Sequence, residues 1–223
     1  HHNAKALVKG EATGADVRRL LVSGGRYSCR QLLEGFQKDA LSGVSARFQQ
    51  AVAAARRILA GTRDPQQCDI LLDKACYEEM ARLAEDCATP FLKGYVRLCA
   101  DTANLRTAVR VARMGKGSDF LLHVLLPGGS VAESALAAAR PEDLGSLFQA
   151  GALEKAARLG ARAAQPDGGP LLAFERECDN ALTRYVAAAK RVPFGEEPVI
   201  AFLHAKDAEL TAVRTFLSGR RAG

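Results

Sequence analysis

Residues 101–110 read DTANLRTAVR, with apolar and small residues at helical spacing on either side of Asn104. A related segment, NAKALVKG, begins at Asn3, and a third, ELTAVR, begins at Glu209, so the copies lie about a hundred residues apart. Internal repetition at a fixed period points to repeated structural units, and this period is too long for the repeat of a solenoid. The stretch therefore predicts duplicated lobes.

Other landmarks keep the same order as the repeated segment. Pro65 and Pro170 each precede the next copy by 39 residues, and glycine pairs at 24–25 and 128–129 follow the first two copies. Three kinds of landmark in one order are unlikely to coincide by chance. We predict one helical lobe over residues 1–103 and a second over residues 104–223.

The first copy of the motif begins at residue 3, whereas the helix that leads into the second copy begins near Pro90, well before Asn104. The chain thus opens inside a predicted helix. We expect that a preceding lobe of comparable size is missing from it.

Nearly every long segment is predicted to be helical, and no convincing strand pattern of alternating residues occurs. The composition is rich in alanine and leucine, which favours helix. Two helical hairpins stand out, one from 64–87 with 89–114 and the other from 170–190 with 198–217. The predicted fold class is all-α.

Start and stop signals give several helix boundaries. Ser45 is a good N-cap for a helix to Leu59, and Gly61 is a suitable residue to end it. The pairs at 64–65 and 89–90 each place proline directly after an N-cap residue, which marks a helix start. The last helix is predicted to close at residues 218–219.

Composition excludes some classes of protein and leaves others open. No apolar run approaches the roughly 18–20 residues that span a bilayer. The six cysteines form no CxxC pair, which in a chain of 223 residues favours free thiols and a cytoplasmic location. The net charge of +6 leaves a helical nucleic-acid-binding or scaffold protein as an alternative. However, the cations are mixed with acids, and no basic run carries stacking aromatics.

No catalytic motif is recognisable. The sequence has no Walker A loop, no GxGxxG and no HExxH. A cysteine-dependent hydrolase or transferase is a second alternative, because a Cys–His pair can form between distant residues. For Asn3 and Asn104 two interpretations stay open: a hydrogen bond between packed helices, or a position facing a central cavity in contact with a partner.

The ending, residues 192–219, resembles the C-terminal signature of the C subunit of archaeal and bacterial V/A-type ATPases, whose eukaryotic relative is the d subunit of the V-ATPase. The segments 2–9, 73–79 and 101–106 resemble the same family. The resemblance implies an all-helical funnel of three similar lobes around a pseudo-threefold axis. It also implies a peripheral protein on the cytoplasmic face of the membrane, bound to the proteolipid c-ring and to the D and F subunits of the central shaft.

The resemblance further implies a function without catalysis. The protein would form a socket for the shaft, rotate with the ring and transmit torque during proton or sodium transport, with no cofactor, no metal and no nucleic acid. The residues that we expect to contribute to binding the shaft or the ring belong to the repeated motif and the glycine pairs: Asn3, Lys5, Asn104, Arg106, Glu209, Arg214, Gly24, Gly25, Gly128 and Gly129.

Overall fold

The computed structural model describes residues 1–25, 27–41 and 43–222, with only the backbone of Ala222. Over these residues it contains eleven α-helices, three short 3₁₀ helices and no strand. The α-helices are α1 His2–Thr13, α2 Cys29–Gln37, α3 Ala46–Thr62, α4 Pro65–Cys87, α5 Pro90–Arg113, α6 Ser118–Val124, α7 Glu133–Ala138, α8 Leu144–Leu147, α9 Glu154–Ala163, α10 Leu172–Ala187 and α11 Glu197–Ala222. The prediction of an all-α fold is confirmed.

Side chains at the helix starts explain several of these boundaries. Ser28 and Gln31 form a capping box at the start of α2. The Ser45 hydroxyl accepts a hydrogen bond from the Phe48 backbone N–H, as its N-cap pattern predicted. The carboxylate of Asp64 accepts from the Gln66 backbone N–H at the start of α4.

Two predicted helix ends are wrong. Helix α3 continues through Gly61 to Thr62, and Arg63 takes the left-handed conformation with φ of 56°. Helix α11 passes through residues 218–219 and runs to Ala222. A glycine ends a helix only where its backbone adopts a left-handed conformation, as Gly14 does after α1.

The chain divides into two compact units, His1–Arg82 and Leu83–Gly223, and the division falls within α4. The predicted lobes meet instead at residues 103–104, within α5. The compact units reflect which helices pack together, whereas the predicted lobes reflect a repeat in the sequence. The lobe boundary therefore stays a prediction.

Each unit has its own buried core. In the first unit, α1, α2, α3 and α4 contribute apolar residues such as Leu7, Phe36, Val52 and Leu72. The larger core of the second unit joins α5 with α6 to α10, and Phe174 is among its most buried side chains. A separate small cluster packs the first turns of α11, through Ala201, against the ends of α5 and α10.

The buried positions recur between the two units. On α3 and on the segment that includes α9, corresponding buried residues are each separated by 105 positions: Ala51, Val52, Ala55 and Leu59 in the first unit, Ala156, Ala157, Gly160 and Ala164 in the second. These helices therefore bury the same face, which is the pattern expected if one helical module occurs twice.

Candidate partner-binding site

The first copy of the motif fixes the segment before its glycine pair. Asn3 lies near the start of α1, and its side-chain amide donates to the Val22 carbonyl oxygen at 3.0 Å. In return, the Val22 backbone N–H donates to Asn3 Oδ1 at 2.9 Å. One side chain therefore pairs with both backbone groups of the residue two positions before Gly24.

The second copy repeats this arrangement. Asn104 donates to the Leu126 carbonyl oxygen and accepts from the Leu126 backbone N–H, both at 2.7 Å. Leu126 stands two positions before Gly128, as Val22 does before Gly24. We call this pair of bonds the asparagine clamp. Asn104 is only 2% exposed. Its side-chain amide is hydrogen-bonded to the loop backbone of its own unit and not to another helix.

The cations of the motif form matching ion pairs. Lys5 and Lys9 of α1 pair with Asp73 and Asp69 of α4, at 2.6 and 2.9 Å. Arg106 and Arg110 occupy the same places after Asn104. They pair with acids of α10: Arg106 with Glu175 and Asp179, both at 2.7 Å, and Arg110 with Glu175 at 2.6 Å.

The acids that complete these pairs were not among the predicted site residues. They were detectable in the sequence as two acidic residues four positions apart, Asp69 with Asp73 and Glu175 with Asp179. Residues at that spacing lie on one face of a helix. The same face of α1 and of α5 is therefore held to a later helix of its own unit by charge as well as by packing.

The two glycine pairs differ in what the fold requires of them. A Cβ on Gly24 or Gly25 would meet no other atom within 4 Å. Gly128 has φ of 91°, a conformation that side-chain-bearing residues rarely adopt. A Cβ on Gly129 would lie 2.4 Å from Asp101 Oδ1. Glycine is thus required at both positions of the second pair, at Gly128 by the backbone conformation and at Gly129 by the neighbouring Asp101 side chain.

The third copy lies on α11 and is exposed. Glu209 pairs with Lys206 at 2.7 Å, and Arg214 is exposed on the same helix. Large apolar side chains next to them are also half or more exposed: Leu210, Val213, Phe216 and Leu217. We call these four the α11 apolar face.

Comparison with known proteins identifies the family. The sequence model of the family described as ATP synthase (C/AC39) subunit matches residues 1–223. The chain belongs to this family. Its relatives include the C subunit of the V-type sodium ATPase of Enterococcus hirae, 23% identical over 220 residues, which cover 99% of this chain and 67% of the relative.

Other relatives carry similar names. The C subunit of the V-type ATP synthase of Thermus thermophilus is 29% identical over 226 residues, with 99% of this chain and 66% of the relative covered. The C subunit of the A-type ATP synthase of Haloferax volcanii is 27% identical over 239 residues, with 99% and 67% covered. The chain spans about two thirds of the length of these relatives.

The C/AC39 family is one of accessory ATP synthase subunits and not of the catalytic one. Two thiols also fit poorly with the cysteine-dependent alternative. Burial raises the pKa of Cys99 to about 11 and that of Cys178 to about 12, so both are protonated at neutral pH. Among the residues that the structure describes, no group of acidic, histidine and cysteine side chains is arranged to hold a metal ion.

Part of the positive charge of this C/AC39 chain is compensated by acidic side chains of the same unit. Many cations form ion pairs: Lys5, Lys9, Arg18, Arg30, Arg56, Lys93, Arg106, Arg110, Arg140, Lys155, Arg158, Arg184 and Lys206. Nucleic-acid binding depends on cations that are free to neutralise phosphates. Within the described part of the chain, no helix is both long and apolar enough to cross a bilayer.

Proposed function

We propose that this chain is a non-catalytic coupling component in the central rotor of a V/A-type ATPase. It forms a socket that joins the shaft, built from the D and F subunits, to the proteolipid c-ring on the cytoplasmic face of the membrane. There it transmits torque while protons or sodium ions are transported. The observation that carries the proposal is the family match over the full 223 residues.

The contacts within each unit support a role in transmitting force. A coupling component must not flex, because torque would be lost in deformation. Both units fix their motif helix by the asparagine clamp and by two cations paired with acids of a later helix. Buried hydrogen bonds and packed helices resist local deformation better than loop connections do.

The α11 apolar face supports an arrangement of three lobes. Leu210 and Val213 stand one and four positions after Glu209. The residues at those places after Asn3, Ala4 and Leu7, are buried, as are Leu105 and Ala108 after Asn104. We propose that a further helical set covers the α11 apolar face and completes a funnel of three similar lobes. An exposed apolar patch of this kind marks an interaction site.

The predicted site residues take two roles in this proposal. The exposed ones contact the shaft or the ring: Gly24, Gly25, Gly128, Glu209 and Arg214. The others are engaged within their own unit and hold the contact segments in place: Asn3, Lys5, Asn104, Arg106 and Gly129.

The proposal is tested by binding. The purified protein, immobilised on beads, is expected to retain a purified D–F shaft and, in detergent, a purified c-ring. Arg214→Glu is expected to weaken retention of at least one partner. Arg57→Glu is the matched control, because Arg57 is an exposed cation on α3 outside the predicted site. If the wild-type protein retains neither partner, the proposed function is wrong.

A further inference from the structure

The second glycine pair is held by a buried carboxylate as well as by the asparagine clamp. Asp101 lies one turn before Asn104 on α5 and is 5% exposed. Its Oδ1 accepts from the backbone N–H of Ser130 at 2.8 Å and more distantly from that of Val131 at 3.4 Å. Its Oδ2 accepts from the Ser130 hydroxyl at 2.5 Å. Residues 126–131 are therefore tied to α5 at both ends.

A buried carboxylate is costly unless donors surround it, because desolvation disfavours its charge. The donors to Asp101 come from two adjacent loop residues, Ser130 and Val131, so these hydrogen bonds fix the loop rather than bridge a pair of helices. The loop leaves no room for a side chain at Gly129. On the outer side, Gly128 and Ser130 are exposed. The inner side of the loop is thus bonded to α5, and its outer side is exposed to solvent.

The third copy of the motif has no equivalent of this carboxylate. The residue three positions before Glu209 is Lys206, which pairs with Glu209. A cation there cannot accept hydrogen bonds from loop N–H groups.

We infer that Asp101 is a positioning residue that holds residues 127–130, the glycine-pair loop, in a fixed shape as a contact for the shaft. The inference rests on the proposed function. The loop exposes small, uncharged residues and no large apolar side chain, so the folded surface of a water-soluble partner such as the shaft can approach its backbone closely. A loop that is already ordered binds more tightly, because less conformational entropy is lost on association.

The test compares Asp101→Ala with Glu177→Ala, because an asparagine at 101 could still accept from the loop N–H groups and donate to the Ser130 hydroxyl. Glu177 is a matched control: it is a buried carboxylate of the same unit, paired with Lys155 and Arg184 and without a contact to the loop. Affinities for the D–F shaft and for the c-ring are measured at a temperature where every variant is folded. Asp101→Ala is expected to weaken shaft binding about tenfold, and Glu177→Ala to change it less than about twofold.

A second variant pair separates positioning from loss of stability. Gly129→Ala places a methyl group against the Asp101 carboxylate, so it should disturb the loop and weaken shaft binding in the wild-type background. In an Asp101→Ala background the methyl group has room, so the same change should have little further effect. Hydrogen exchange at the Ser130 and Val131 amides is expected to accelerate in Asp101→Ala and not in Glu177→Ala.

The outcomes are distinguishable. If the wild type binds neither partner, the proposed function fails and this inference with it. If the wild type binds the shaft and Asp101→Ala binds it equally well, only the inference fails. Equal losses in Asp101→Ala and Glu177→Ala also overturn the inference, because they indicate a general effect of destabilisation. Loss of ring binding alone overturns the assignment of the loop to the shaft.

Discussion

At the scale of single residues, the two asparagine clamps make the same pair of hydrogen bonds in different surroundings. Asn104 is buried, whereas Asn3 is partly exposed. Removing either side chain leaves one backbone N–H and one C=O without a partner. Water can replace the lost bonds at Val22 more readily than at Leu126, so the two truncations differ in cost.

We therefore predict that Asn104→Ala lowers the free energy of unfolding by roughly 2–4 kcal/mol and that Asn3→Ala lowers it by about 1 kcal/mol. Urea denaturation of the two variants beside wild type measures both values. Asn104→Asp should resemble Asn104→Ala, because a carboxylate accepts from the Leu126 N–H but cannot donate to its carbonyl. Equal costs for Asn3→Ala and Asn104→Ala would contradict the interpretation.

Sequence reasoning found the two asparagines but not what they bind. Their recurrence in two copies of the motif was visible, and it singled out the two residues that form the asparagine clamps. Their partners, the backbone of Val22 and Leu126, carry no sequence signal, because any residue offers the same N–H and C=O groups. Asp101 was missed for a similar reason, since its donors are mainly backbone groups of residues 29 and 30 positions away.

The six thiols are expected to differ in reactivity. Cys87 is exposed, whereas Cys178 is buried and its pKa is raised to about 12 by that burial. Since the thiolate is the reactive form, iodoacetamide should label Cys87 first at neutral pH and leave Cys178 unlabelled in the folded protein. Peptide mass spectrometry over a time course reads out the order. Early labelling of Cys178 would show that it is far more accessible than the structure indicates.

At the scale of helices, Glu177 ties α9 to α10. Lys155 of α9 pairs with it at 3.0 Å and Arg184 of α10 at 2.8 Å. The hydrogen bond from Lys155, followed by that from Arg184, lowers the pKa of Glu177 below its ordinary value of 4.5, against the opposing effect of burial. The ionised form is thus favoured in the folded state.

This shift fixes the sign of a pH effect. The stabilisation by Glu177 is complete above pH 4.5 and is lost as the pH falls through the lower folded-state pKa, because the unfolded state binds the proton first. We predict that Glu177→Gln costs roughly 2 kcal/mol near pH 7 and that this difference shrinks as the pH falls below 4.5. Unfolding free energies of both proteins across that range measure it. A difference independent of pH would contradict the assignment.

Helix starts were more predictable than helix ends. Ser45 and the N-cap–proline pairs gave the starts of α3, α4 and α5. Ser45 and Asp64 act locally as caps, whereas Thr89 makes no capping hydrogen bond and Pro90 alone marks the start of α5. The ends depend on whether a glycine takes a left-handed backbone. Gly14 and Gly115 do, at φ of 68° and 64°, whereas Gly61 stays within its helix. That choice depends on the chain that follows and not on the glycine itself.

At the scale of the whole molecule, the sequence repeat predicted similar helical lobes but neither the repeated burial nor the compact units. The buried positions on α3 and around α9 recur 105 residues apart, whereas Asn3 and Asn104 lie 101 residues apart. The division between Arg82 and Leu83 depends on which helices pack together, which is decided by contacts between residues far apart in sequence. A helix as long as α4 gives no local sign of that division.

The α11 apolar face leads to a prediction about how much the end of α11 contributes to stability. Of the described α11 residues, Ala201 is the one that is buried, so residues 209–223 should add little to the stability of the second unit. A chain ending at residue 208 is expected to melt within about 2 °C of wild type and to associate less with itself, because four large apolar side chains are gone. Thermal unfolding and size-exclusion chromatography measure the two effects.

A deeper truncation is the control for this prediction. Ending the chain at residue 196 also removes Ala201 and the contact of His204 with Tyr95, so it should lower the melting temperature clearly. If removal of 209–223 destabilises the protein as much as the deeper truncation does, the end of α11 packs within this chain. It then offers no apolar face to a further helical set, and the three-lobe arrangement loses its structural support.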